Sequence, residues 1–178
     1  MDRTPPDHEA PWRDIIRVVR RETTVPLTYG ANWPNYQAVP FWDALDAIGL
    51  SAYFPLVTHD RPPTAQEVDA TWVRLHHELT NYARAQNRRV VFMKLGYDES
   101  RRAARAPWVP GHREIGGAAV QQLCLDRALA AAQADRALAA VFLWKGFPGE
   151  TRHAGYQLQS PALRAVIQAR GQPTAPPR

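Results

Sequence analysis

Residues 90–97, Val90-Val91-Phe92-Met93-Lys94-Leu95-Gly96-Tyr97, form an apolar run of strand length broken by a single lysine. An ammonium inside such a run is costly unless it sits at a strand end that opens into a polar site. Side chains alternate across a strand, and this parity groups Lys94 with Val90, Phe92 and Gly96. Val91, Met93 and Leu95 form the other face, which suits contact with helices. The lysine therefore marks the site-bearing end of a buried strand.

On the amino-terminal side, Thr64 precedes a long amphipathic helix over about 65–86, and Thr64 with Glu67 has the form of a capping box. Before it, Leu50-Ser51-Ala52-Tyr53-Phe54 reads as a strand closed by Pro55. Phe41, Trp42, Leu45 and Ile48 share one helical face, which predicts a helix over about 39–47 stopped by Gly49. Leu27 to Trp33 is a short strand, and Trp12, Ile15, Ile16 and Val19 predict a first helix over 11–22. On the carboxyl side, Asp98 to Gly117 is an arginine-rich loop carrying Trp108, of a length usually kept for function or disorder. A helix over about 118–133, a strand over 139–145 and a helix over 161–169 complete the chain. Residues 1–10 read as a flexible arm, 11–170 as one domain and 171–178 as a disordered tail.

Strict alternation of helix and strand predicts an α/β fold of four parallel strands joined by right-handed helical crossovers. Parity places Thr28, Gly30 and Asn32 on the site face of the first strand. On the second it places Gly49, Ser51 and Tyr53 there, and on the fourth Ala140, Phe142 and Trp144. Each strand thus ends on a polar or aromatic residue: Asn32, Tyr53, Lys94 and Trp144. In parallel α/β folds the carboxyl ends of the strands are where ligands bind.

Composition narrows the function classes. The chain of 178 residues is 45% hydrophobic and 22% charged, which fits one globular domain. Its net charge is +5, and 20 of its 22 basic residues are arginines, scattered through helical segments without interleaved aromatics. No nucleic-acid partner is expected on that pattern. Cys124 is the one cysteine, so there is no disulfide framework and no cysteine-based zinc site. His76 and His77 are adjacent, about 100° apart around a helix, and lack the i, i+4 spacing of a zincin. No metal and no cofactor are expected. With no apolar run of spanning length and no leader-like start, the chain reads as cytoplasmic if Met1 is the true start, with no membrane partner.

Three stretches carry a resemblance: Leu27-Thr28-Tyr29-Gly30-Ala31-Asn32-Trp33, Phe41 to Leu56, and Phe92-Met93-Lys94-Leu95-Gly96-Tyr97. They resemble segments of glycoside hydrolase family 113, (β/α)8-barrel β-mannanases within the clan of retaining β-glycosidases. Phe142 to Gly149 and Ser160-Pro161-Ala162 resemble the family's last strand and final helix. The resemblance implies half of a TIM barrel, family strands five to eight. It also implies that Lys94 stands where the family carries its nucleophilic glutamate, in a Phe-Thr-Glu-Ile-Gly-Tyr-like motif. Retaining hydrolysis needs two carboxyls about 5–5.5 Å apart. The family's acid/base belongs to strand four, outside the part that this chain resembles, so an inactive, glycosidase-like domain is expected.

The resemblance further implies substrate-binding roles for the strand-end residues. Trp144 matches the aromatic lining the subsite of the cleaved sugar, and Tyr53 a residue that hydrogen-bonds the nucleophile. Asn32, Trp33 and Trp108 can add polar contacts and stacking to a mannan-type oligosaccharide. Two other readings follow from chemistry alone. A desolvated Lys94 could form a Schiff base with a carbonyl substrate. Half a barrel also leaves two edge strands, which predicts self-association or pairing with an amino-terminal half-barrel.

Overall fold

The computed structural model describes residues 8–145 and 156–171. Among the described residues eight α-helices and strands follow one another: α1 (Glu9–Glu22), β1 (Thr28–Asn32), β2 (Ala47–Ser51), α2 (Ala65–Ala85), β3 (Arg89–Leu95), α3 (Gly117–Ala134), β4 (Leu138–Leu143) and α4 (Pro161–Gly171). The strands form one parallel sheet in the order β1-β2-β3-β4. By contacts the chain divides into two compact units. One holds Met1–Tyr53, His76–Leu95 and Arg136–Phe142, the other Phe54–Leu75, Gly96–Asp135 and Leu143–Arg178.

In the first unit the predicted helix over 39–47 is absent. Two 3-10 turns, Tyr36–Ala38 and Trp42–Ala44, occupy that region, and the second strand starts at Ala47, not Leu50. Packing overrides the helical spacing here. Phe41 lies 5.9 Å from Trp12 and 5.4 Å from Tyr29 between ring centroids, and Trp42 donates its Nε1 hydrogen to Tyr36 O at 2.9 Å. Arg13 forks onto Asp43 at 2.8 and 3.0 Å and also donates to Pro40 O. Asp46 accepts from Leu27 N at 2.6 Å and from Arg20. These anchors leave Ile48 and Leu50, both fully buried, to pair in the sheet between β1 and β3. Of the expected amino-terminal arm, Glu9 and Ala10 already belong to α1, and residues 1–7 lie outside the described part.

The second unit holds the long segment after β3. Residues 98–116 contain no helix or strand, but Asp98 organises them. Its carboxylate is buried and accepts from Ser100 Oγ at 2.6 Å, from Ser100 N at 3.2 Å and from Gly111 N. Ala104 O accepts from Leu56 N at 2.7 Å, and Pro107 O accepts from the Tyr156 hydroxyl. Gln121 of α3 donates to Tyr97 O at 2.8 Å. The start of α2 carries the predicted capping box: Glu67 N donates to Thr64 Oγ1 at 3.3 Å and Thr64 N to Glu67 Oε2 at 2.9 Å.

Candidate functional site

Register across the sheet aligns three residues at its carboxyl end. Asn32 pairs with Ser51, and Ser51 pairs with Lys94. Asn32 is the last residue of β1, Ser51 the last of β2 and Lys94 the penultimate residue of β3. Lys94 is exposed, and its backbone oxygen accepts from Ala52 N at 2.8 Å. The strand end thus fixes the lysine backbone and leaves its side chain at the surface of this unit.

Lys94 does not reach this row by the simple alternation predicted for β3. Leu50 pairs with Phe92 and Ser51 with Lys94, so Met93 is an extra residue in a bulge. Val90 and Phe92, expected on the site face, are buried, whereas Met93 and Lys94 are both exposed. A Cβ placed on Gly49 would lie 2.7 Å from Thr28 Oγ1 and 3.2 Å from Met93 Cγ. Thr28, Gly49 and Met93 therefore share a face, and Val90 and Phe92 are not on the face of Lys94. The bulge returns Lys94 to the face of Ser51 and Asn32.

Tyr53 lies two residues past β2, and its N–H donates to Ser51 O at 3.0 Å. It is half-buried, and burial pushes its phenol up to about 12. Trp33 follows Asn32 at a turn closed by Asn35 N donating to Asn32 O at 2.9 Å. Asn32, Trp33, Tyr53 and Lys94 are residues of the first unit, Trp108 and Trp144 of the second.

Trp108 is exposed, on the segment that Asp98 organises. Trp144 follows β4 directly, and the Trp144–Lys145 peptide bond is cis. Lys145 Nζ lies 5.2 Å from the Trp144 ring centroid, a cation–π contact, and Lys145 N donates to Tyr156 O at 3.1 Å. The backbone of Trp144 passes so close to Gly96 that a Cβ there would sit 1.9 Å from Trp144 O. Gly96 is thus required by backbone approach. Ser51 and Gly96 were placed on the site face by parity without a role, and Lys145, beside Trp144, had no signal in the sequence that set it apart. The carboxylates nearest Lys94 in sequence are engaged within the second unit, Asp98 as described and Glu99 with Arg113 at 2.7 Å. Among the described residues no group of three or more His, Cys, Asp or Glu could hold a metal ion.

A parallel sheet with helical crossovers, presenting polar residues at the strand carboxyl ends, is half of a (β/α)8 barrel. The chain matches the profile of Glycoside Hydrolase Family 113 over residues 1–153 and belongs to that family. It is similar to the GH113 β-mannanase from Alicyclobacillus acidocaldarius, solved in complex with ManMIm. The two are 27% identical with a TM-score of 0.73, over 93% of this chain and 51% of the mannanase. A second GH113 β-1,4-mannanase matches at 19% identity and a TM-score of 0.72, over 93% and 52% of the two chains. A β-glucuronidase from Ruminococcus gnavus shares the fold at 12% identity and a TM-score of 0.64, over 95% of this chain and 31% of that one. The chain spans about half the length of the mannanases it matches. No curated protein sequence matches it.

Proposed function

We propose that this chain is a glycosidase-like domain that binds mannan-type oligosaccharide at the carboxyl ends of its strands and does not hydrolyse it by the retaining route. The observation that carries the reading is Lys94, in register with Ser51 and Asn32 at the strand end where the family resemblance expects a glutamate. An ammonium cannot form the glycosyl ester, and its charge opposes an oxocarbenium-like transition state. Within the first unit Asn32, Ser51 and Lys94 offer polar contacts to sugar hydroxyls and Trp33 and Tyr53 are the candidate stacking surfaces; Trp108 and Trp144 are candidate stacking surfaces of the second unit. A Schiff-base role rests on a desolvated lysine, and the exposure of Lys94 favours non-covalent binding instead. Titration with mannohexaose, followed by tryptophan fluorescence, is expected to saturate at millimolar sugar or below. A flat response through that range would contradict binding.

A second element of the proposal concerns the sheet. β1 and β4 are the outer strands among the described residues, and Met93 and Phe142 leave 36% and 57% of their surface exposed. We propose that this sheet closes against another half-barrel, a second copy where no amino-terminal half is supplied.

A further inference from the structure

Arginines that lie apart in the sequence meet at the amino-terminal end of the sheet. A shallow groove of about 670 Å³ there is lined by Arg84 at the end of α2, Arg88 and Arg89 at the start of β3, and Arg136 before β4. Asp46 is the one acid among its lining residues, and its carboxylate is already engaged by Arg20 and Leu27 N. Asp135 adjoins Arg136 in sequence without lining the groove. The groove therefore gathers four guanidinium charges around one lining carboxylate, in a chain whose whole net charge is +5.

Two of these charges are fixed in place by backbone oxygens, not by carboxylates. Arg88 donates to Leu45 O at 2.5 Å, Asp43 O at 2.7 Å and Asn87 O at 2.9 Å. Arg89 donates to Leu138 O at 2.8 Å. Carbonyl partners orient a guanidinium without forming an ion pair, while the Arg88 charge also acts on the carboxylates of Asp43 and Asp46. Arg84 and Arg136 are exposed, and among the described residues no carboxylate forms an ion pair with either. The arrangement is two guanidiniums bonded to backbone oxygens beside two exposed ones. Preorganised charge lowers the ordering cost of binding, and guanidinium forks match tetrahedral oxyanions in geometry. No aromatic side chain lines the groove, so it offers no platform for bases.

We propose that this groove is a binding site for an oligophosphate anion, separate from the sugar site proposed at the other end of the strands. The direct test is calorimetric titration of the full chain with inorganic tripolyphosphate at 50 and 200 mM salt, beside the double variant Arg84→Ala/Arg136→Ala. Both substituted residues are exposed, and an unchanged melting temperature confirms that the variant is folded. Binding in the millimolar range or tighter, weakened by salt and reduced at least tenfold in the variant, is the expected result. No binding at 50 mM salt, or equal binding by the folded variant, overturns the site. Equal affinity for citrate overturns its assignment to phosphate.

Discussion

At the scale of single residues, Lys94 combines exposure with an anchored backbone. Its replacement by Met is expected to change stability by less than about 0.5 kcal/mol, the usual range for an exposed position. The same variant should bind mannohexaose more weakly than the parent, measured by fluorescence titration, because a charged donor leaves the row of Asn32 and Ser51. Gly96 is the opposite case. A methyl there meets the Trp144 carbonyl at 1.9 Å, and backbone cannot yield as a side chain tip can. Gly96→Ala is expected to destabilise by about 1–3 kcal/mol in urea unfolding, the range of overpacked sites. A variant as stable as the parent would mean that the close approach is not present in solution. Cys124 is fully buried, and burial pushes its thiol up to about 12. A thiol reagent at pH 8 should label it only in denaturant.

At the scale of elements, two carboxylates tie the stretch before β2 to its surroundings. The Arg13 guanidinium beside Asp43 holds that carboxyl below its usual range, and the Leu27 amide and Arg20 do the same for Asp46. A carboxyl with a depressed folded pKa contributes stability above its unfolded value, near 4, and loses it as pH falls further. Both groups are largely exposed, so screening keeps each effect small. The melting temperature should decline below about pH 4, and Asp46→Asn should flatten that decline. The sign reverses for Tyr53. Its phenol is raised by burial, so the neutral form is favoured in the folded state. Stability from this group is complete below pH 10 and is lost as pH rises towards 12. Tyr36 and Tyr97 are raised by the same cause, which strengthens the alkaline loss.

The same scale shows how far the sequence could be read. The capping box of Thr64 and Glu67, the strand at Thr28–Asn32 and the one ending near Lys94 were legible, because each follows from local residue chemistry or an apolar run. The stretch from Val39 to Ala47 was misread as a helix. Its apolar spacing suits a helix, yet its rings pack into a cluster with Trp12 and Tyr29, and no local pattern announces that partner. The bulge at Met93 was hidden for a similar reason. Two-residue alternation assumes an unbroken ladder, and only pairing with β2 reveals the extra residue. Lys94 was placed at the right end of the strand with the wrong neighbours. The gathering of Arg84, Arg88, Arg89 and Arg136 depends on tertiary contact, so scattered arginines in the sequence gave no sign of it.

At the scale of the whole molecule, β1 and β4 are the outer strands of the described sheet, and Phe142 on β4 leaves 57% of its surface exposed. Self-association through that surface predicts a dimeric mass by light scattering at micromolar concentration, and Phe142→Asp should shift the mass towards the monomer. A monomer for the parent chain at that concentration would contradict the closure of the sheet by a second copy. The chain has a family 113 fold, and the proposal is that it binds mannan-type oligosaccharide without retaining hydrolysis, with Lys94 at the strand end where the resemblance expects the nucleophile. Calorimetric titration with mannohexaose, followed by mass spectrometry of the cell contents, measures both halves of that claim in one sample. The predicted result is a saturable binding heat with the hexasaccharide recovered intact; absence of a binding heat, or the appearance of shorter mannooligosaccharides, would contradict it.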